Sequence, residues 1–204
     1  MGRSFAEISF TESVKVAQTK YGSRESNQRF EQGENVGNDL TIDEMDFIAE
    51  RDSFYQATVS ETGWPYVQHR GGPIGFLKVI NSNTIGYADF RGNRQYLSVG
   101  NLSANDRVSI ILMDYTNRRR LKIWGRVKIA HASESPELIT PLEMPEYRAR
   151  VERGMIISVE AFDWNCPQHI TPRFTENEIT EQVKPLHDEI ALLKLKLKQY
   201  EEIK

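Results

Sequence analysis

Between Phe54 and Trp164 the chain falls into short runs in which apolar residues alternate with polar ones or cluster over four to seven positions. A two-residue period of this kind is that of a strand with one face in a core. Seven runs qualify: "FYQATVS", "PYVQHR", "IGFLKVI", "TIGYADF", "RVSIILMD", "RLKIWGRVKIA" and "MIISVEAFDW". They are rich in Ile, Val and aromatic residues, and turn residues such as "ETGW", "NSN" and "TNRRR" separate several of them. At least six strands at near-hairpin spacing predict a mainly β chain with minor α, an antiparallel barrel rather than a βαβ fold.

Helical patterns are few. Thr41 followed by Glu44 is a capping box ahead of Met45, Phe47 and Ile48. "NRQYLSVGNLSAN" predicts a short helix with Leu97 and Leu102 inward, and "PEYRARVERG" another that stops at its glycine.

The flanks differ from this middle. Residues 1–40 are polar and rich in Gly, Asn, Ser and charge, which predicts an extended arm ordered against a partner subunit. Residues 41–174 form the barrel domain. Residues 175–204 form a C-terminal helix: Ile179, Val183, Leu186, Ile190, Leu193, Leu197 and Tyr200 step by four and three alternately, a heptad seam, behind a second capping box at Thr175 and Glu178. Pro185 interrupts the pattern, since a proline inside a helix costs ~3 kcal/mol. Such a helix either packs on its own barrel or pairs across a dimer.

Composition narrows the classes. With 39% hydrophobic residues the 204-residue chain can bury a core, and a net charge of −3 argues against broad nucleic-acid binding. No apolar run approaches the ~20 residues of a membrane helix. The only cysteine, Cys166, has no internal disulfide partner, reads as an inert buried thiol, and belongs to no metal-ligand spacing. A cytoplasmic setting is the expectation.

Three stretches carry polar side chains that a purely structural barrel has little use for. Gln68, His69 and Arg70 end a strand and run into Gly71, Gly72 and Pro73. Gln and His suit the carbonyls and nitrogens of a heterocycle, Arg suits developing negative charge, and glycine admits a ligand close to the backbone. The alternative is an exposed edge corner. Asp89, Arg91, Asn93, Arg94 and Gln95 crowd a turn and helix start, where guanidinium groups and free helix N–H groups together suit a phosphate. A solvated basic turn is the competing reading. Lys78, inside "IGFLKVI", either faces water or adds a cation to the same phosphate. Trp164, Asn165 and Gln168 close the last strand, where an indole either anchors packing or walls an aromatic ligand. Arg118, Arg119 and Arg120 read as a solvated hairpin tip.

The order of "QATVSETGWPYVQHRGG", "IGFLKVI", "TIGYADFRGNRQY", "NDRVSIILMDY" and "LKIWGRVKI" resembles the FMN-binding split barrels related to pyridoxamine 5'-phosphate oxidase, from about Thr41 to Arg173. The resemblance implies a six-stranded antiparallel split β-barrel, a homodimer, and FMN sites at the subunit interface. It implies that Arg70 and Lys78 lie on the flavin-binding strands and that Arg91, Asn93, Arg94 and Gln95 hold the phosphate. Gln95 stands where the family has a lysine, Gly-Gly-Pro is an insertion, and the oxidase's C-terminal arginine and histidine motif is not recognisable. The expectation is therefore an FMN-dependent oxidoreductase with an unassigned small substrate, NAD(P)H as a candidate donor, and no catalytic residue or metal named. Haem or deazaflavin is the alternative ligand, a non-catalytic sensing module the alternative role, and His69 and His169 the plausible haem ligands.

Overall fold

The computed structural model describes residues 3–32, 38–164 and 166–202. All seven strand segments form strands: β1 (Ser53–Val59), β2 (Pro65–Gly71), β3 (Leu77–Asn81), β4 (Thr84–Phe90), β5 (Arg107–Asp114), β6 (Arg119–His131) and β7 (Val151–Trp164). They make one antiparallel sheet in the order β2-β1-β5-β6-β7-β4-β3. The architecture is a split barrel. β2 and β3 are its two edges, and the sheet does not close by backbone pairing among the described residues.

Side chains bridge the open side instead. Phe54 of β1 stacks on Phe76 at 5.5 Å and meets Tyr87 of β4 edge-on at 5.3 Å. The Tyr87 hydroxyl donates to Gln56 Oε1 at 2.7 Å, and burial pushes that phenol far above its ordinary value, so it remains a donor. Ile85, Ile110, Leu112, Leu121, Ile123 and Met155 fill the interior behind these rings.

Four helices precede the sheet: α1 (Arg3–Ser9), α2 (Glu12–Lys20), α3 (Arg24–Glu31) and α4 (Ile42–Ala49). The first forty residues are thus not extended where they are described. Phe5, Ala6 and Phe10 are buried, and Phe5 packs on Trp124 of β6 at 4.8 Å. Three buried residues dock α1 on its own barrel despite the polar composition around them. The capping box of α4 forms, with Glu44 accepting from the Thr41 amide at 2.9 Å and from its hydroxyl at 2.6 Å.

Two helical expectations change. α5 (Leu97–Ala104) forms with Leu102 buried, but Leu97 is 46% exposed rather than inward. "PEYRARVERG" is not a helix. Its last four residues begin β7, where Arg153 pairs with Asp89 on one side and His131 on the other. A ladder on both sides outweighs local helix propensity. The helix of this region lies earlier, at α6 (Pro136–Ile139), followed by a 3₁₀ turn at Thr140–Leu142.

Beyond β7, Cys166 is exposed, not buried. α7 (Glu176–Glu202) runs through Pro185, and none of residues 176–201 is buried. It is tied to the barrel at its first turn, by Thr116 donating to Glu178 at 2.8 Å. Among the described residues no helix is long and apolar enough to cross a membrane.

Candidate functional site

β2 presents its side chains alternately, so Tyr66, Gln68 and Arg70 share one face and His69 takes the other. The first three line a cavity of about 190 Å³ between the end of β4, the turn after it and the start of α5. Asp89, Asn93, Arg94, Gln95, Tyr96 and Ser98 complete much of its wall, with Glu152 and Arg153 from β7.

A buried ion network forms its floor. Asp89, 4% exposed, accepts from Arg70 Nη1 at 2.6 Å and from Arg153 Nη1 at 3.0 Å. Arg153 Nη2 also donates to Glu152 at 2.6 Å, and Arg91 stands 3.6 Å from the same carboxylate. Arg70 Nε is buried without a hydrogen-bond partner. An orphaned donor beside a cavity is a place for a ligand or water acceptor.

The rim gathers a cation and free helix N–H groups. The turn holds Arg94 and Tyr96 at φ 64° and 55°, left-handed conformations that cost a non-glycine residue and recur at ligand sites. Asn93 steadies this turn by accepting from the Gln95 amide at 3.1 Å. Tyr96 caps α5 without a side-chain hydrogen bond, leaving the first-turn N–H groups of the helix to other acceptors. Arg94 is exposed and has no ion-pair partner among the described residues. Ser98 donates to Gln68 Oε1 at 2.9 Å, which fixes that amide and leaves its nitrogen free to donate. Three arginines against two carboxylates leave the lining positive.

The remaining expected residues are placed elsewhere. His69 meets Tyr55 edge-on at 5.5 Å and borders a second cavity of about 140 Å³, shared with Arg70, Phe76 and Tyr87. Lys78 is half-buried on β3 opposite Gly86 and lines neither cavity. Trp164 donates to Glu44 at 2.5 Å and packs on Phe47 and Arg119, away from both cavities. Arg119 is exposed, as expected of the hairpin tip, and its guanidinium lies over the Phe47 and Trp164 rings. Gln168 is exposed in the turn after β7, and Asn165 lies outside the described residues.

Gly72 has a structural explanation. A Cβ on Gly72 would sit 2.7 Å from Cγ of Phe76, so Gly72 makes room for a core ring. Glu152 and Arg153 were not legible as site residues, because Arg153 reaches Asp89 only through the β4–β7 register, and Tyr96 and Ser98 carry no charge to single them out within the turn and helix start.

A family model described as pyridoxamine 5'-phosphate oxidase matches residues 41–162, the span that holds the whole sheet up to Phe162. The chain belongs to the pyridoxamine 5'-phosphate oxidase family. No curated protein matches it significantly. Among solved structures, HupZ of Group A Streptococcus is 18% identical with a TM-score of 0.50, covering 66% of this chain and 99% of that one. An FMN-binding protein from Syntrophomonas wolfei is 13% identical, with a TM-score of 0.46 and coverages of 59% and 81%. A Clostridium acetobutylicum protein of the pyridoxinephosphate oxidase family, related to general stress protein 26, is 14% identical, with a TM-score of 0.45 and coverages of 68% and 95%. At such identities the HupZ likeness shows the split-barrel fold alone.

Proposed function

We propose that this member of the pyridoxamine 5'-phosphate oxidase family binds FMN with its phosphate at the arginine-lined cavity. We infer that it acts, as a cytoplasmic homodimer, as an oxidoreductase between a reduced donor such as NAD(P)H and a small acceptor. The observation that carries the reading is Arg94, an unpaired cation at the mouth of a positive cavity, beside the uncapped start of α5. Guanidinium and helix N–H groups are the donor set a phosphate dianion takes.

A volume of about 190 Å³ suits a phosphate and part of its chain, not a three-ring system. The ring system therefore extends past Arg70, toward the second cavity or a partner subunit. Arg70 and Arg153 are held by Asp89, so their part is to set the floor and its charge, while Arg94 and the α5 amides meet the anion. Gln68, oriented by Ser98, offers its amide nitrogen to a carbonyl or ring acceptor. Bound FMN supplies the two-electron chemistry, and the chain supplies position and charge.

Protein purified without added cofactor, with its absorption recorded before and after denaturation, tests this reading. Release of an equimolar amount of FMN is the expected result, and donor-dependent reduction of the bound flavin would then support turnover. A colourless protein that takes up no added FMN overturns the cofactor. A Soret band or a deazaflavin spectrum would replace it.

A further inference from the structure

We infer that α7 is one strand of a parallel two-stranded coiled coil with α7 of a second copy of this chain. The helix is about 40 Å long at 1.5 Å per residue, and it projects with none of residues 176–201 buried. Its seam is exposed except at the half-buried Val183: Ile179 is 48% exposed, Leu186 57%, Ile190 49%, Leu193 54% and Leu197 60%. A single helix in water with a proline inside it is not self-sustaining, because helix stability comes mainly from packing an apolar face.

The residues around the seam say what covers it. Reading Ile179 as position d places Val183, Ile190 and Leu197 at a, and Leu186, Leu193 and Tyr200 at the following d positions. β-Branched residues at a with leucine at d favour two parallel strands. Glu189 and Lys196 then occupy g, and Lys194 and Glu201 occupy e. In a parallel pair each g faces the next e of the partner, so Glu189 meets Lys194 and Lys196 meets Glu201, each twice by symmetry. Antiparallel pairing over the same seam keeps one such pair, Glu189 with Lys196, but sets Lys194 beside His187 and leaves Glu201 opposite Thr180. Pro185 falls at position c, off the seam, where its ring does not obstruct a partner. The charges thus match a second copy of the same helix in the same direction, and the inference does not depend on the flavin reading.

Cysteine cross-linking of the full chain tests it, in a Cys166→Ser background. Val183→Cys and Leu197→Cys, made separately, each place two thiols across an a layer of the parallel coil, within the ~4.4–6.8 Å Cα separation a disulfide spans. Under mild oxidation each variant is expected to convert to a disulfide-linked dimer, while Asp188→Cys, at the outer position f, stays largely unlinked. A monomeric protein by sedimentation overturns the inference, as does equal linking at Asp188→Cys. Linking only when the Val183→Cys protein is mixed with Tyr200→Cys, two positions that share an a–d layer when the helices run oppositely, would establish the antiparallel arrangement instead. Four linked or associated helices would overturn the two-stranded form. Because α7 lies outside the barrel, these substitutions leave the fold intact, and a loss of linking reads on pairing alone.

Discussion

Arg70 and Asp89 join the two halves of the split sheet: Nη1 of the arginine on the β2 edge stands 2.6 Å from Oδ1 of the aspartate on β4. Their side chains are 14% and 5% exposed, and Arg153, at 9%, holds the other oxygen. The aspartate therefore bridges two guanidinium groups, one half-buried and one buried, where the backbone ladder is missing. Replacing it by alanine would leave Arg70 without a carboxylate and Arg153 with Glu152 alone, and breaking a buried pair from one side costs about 3–5 kcal/mol. Urea unfolding of the cofactor-free Asp89→Ala protein should show a loss of that order. A change under about 1 kcal/mol, the scale of a surface pair, would mean the network is open to water.

Arg94 behaves differently because it carries no partner. A charge-assisted hydrogen bond to phosphate contributes about 1.5–3 kcal/mol, so Arg94→Ala should raise the Kd for FMN about 10- to 150-fold. Its stability should stay within about 0.5 kcal/mol of the parent, since the residue is exposed and alanine meets the same positive φ. Fluorescence titration of flavin against both proteins measures the first, and thermal unfolding the second. Equal affinities would place the phosphate elsewhere.

Gly72 separates a structural glycine from a ligand-facing one. A Cβ there would lie 2.7 Å from Cγ and 2.9 Å from Cβ of Phe76, a ring that is 2% exposed and stacked on Phe54. Gly72→Ala should destabilise by about 1–3 kcal/mol, the usual cost of overpacking. The paired change Gly72→Ala with Phe76→Leu should recover little of it, because leucine keeps the Cβ and Cγ that make the clash. A fully stable single variant would show that Phe76 moves aside freely.

The seven strands were legible because β-branched and aromatic runs between turn residues have few other uses, and the cationic turn was legible because Arg91, Asn93, Arg94 and Gln95 are contiguous. What escaped depended on register. Glu152 and Arg153 reach the cavity only because β7 pairs with β4, a relation between residues some sixty positions apart that no local period encodes. The same pairing turned the end of "PEYRARVERG" from helix to strand. α1 escaped because its docking rests on three residues, Phe5, Ala6 and Phe10, too few to show as a periodic face in a polar segment. His69 was grouped with Gln68 and Arg70 by sequence adjacency, while strand alternation assigns it to the opposite face.

Glu44 ties α4 to the end of β7 and gives that junction a pH dependence. Its carboxylate accepts from Thr41 at the helix start and from the Trp164 indole at 2.5 Å. Burial alone would raise this carboxyl, but the hydrogen bonds from Thr41 and Trp164 outweigh it and hold it below its ordinary value of 4.5. A carboxyl depressed on folding adds stability above its unfolded value, and that contribution disappears as pH falls through the folded one. Glu44→Gln keeps the shape and removes the charge. The variant should be less stable than the parent by about 1 kcal/mol near neutrality, the usual scale of a helix cap. The gap should narrow toward zero as both are titrated from roughly pH 6 to pH 3. Taking the difference between the two proteins cancels the other carboxylates. Urea midpoints in a pH series decide it: parallel curves would show that Glu44 holds α4 by shape alone, and a gap that closes in acid would show that its charge holds the capping box to Trp164.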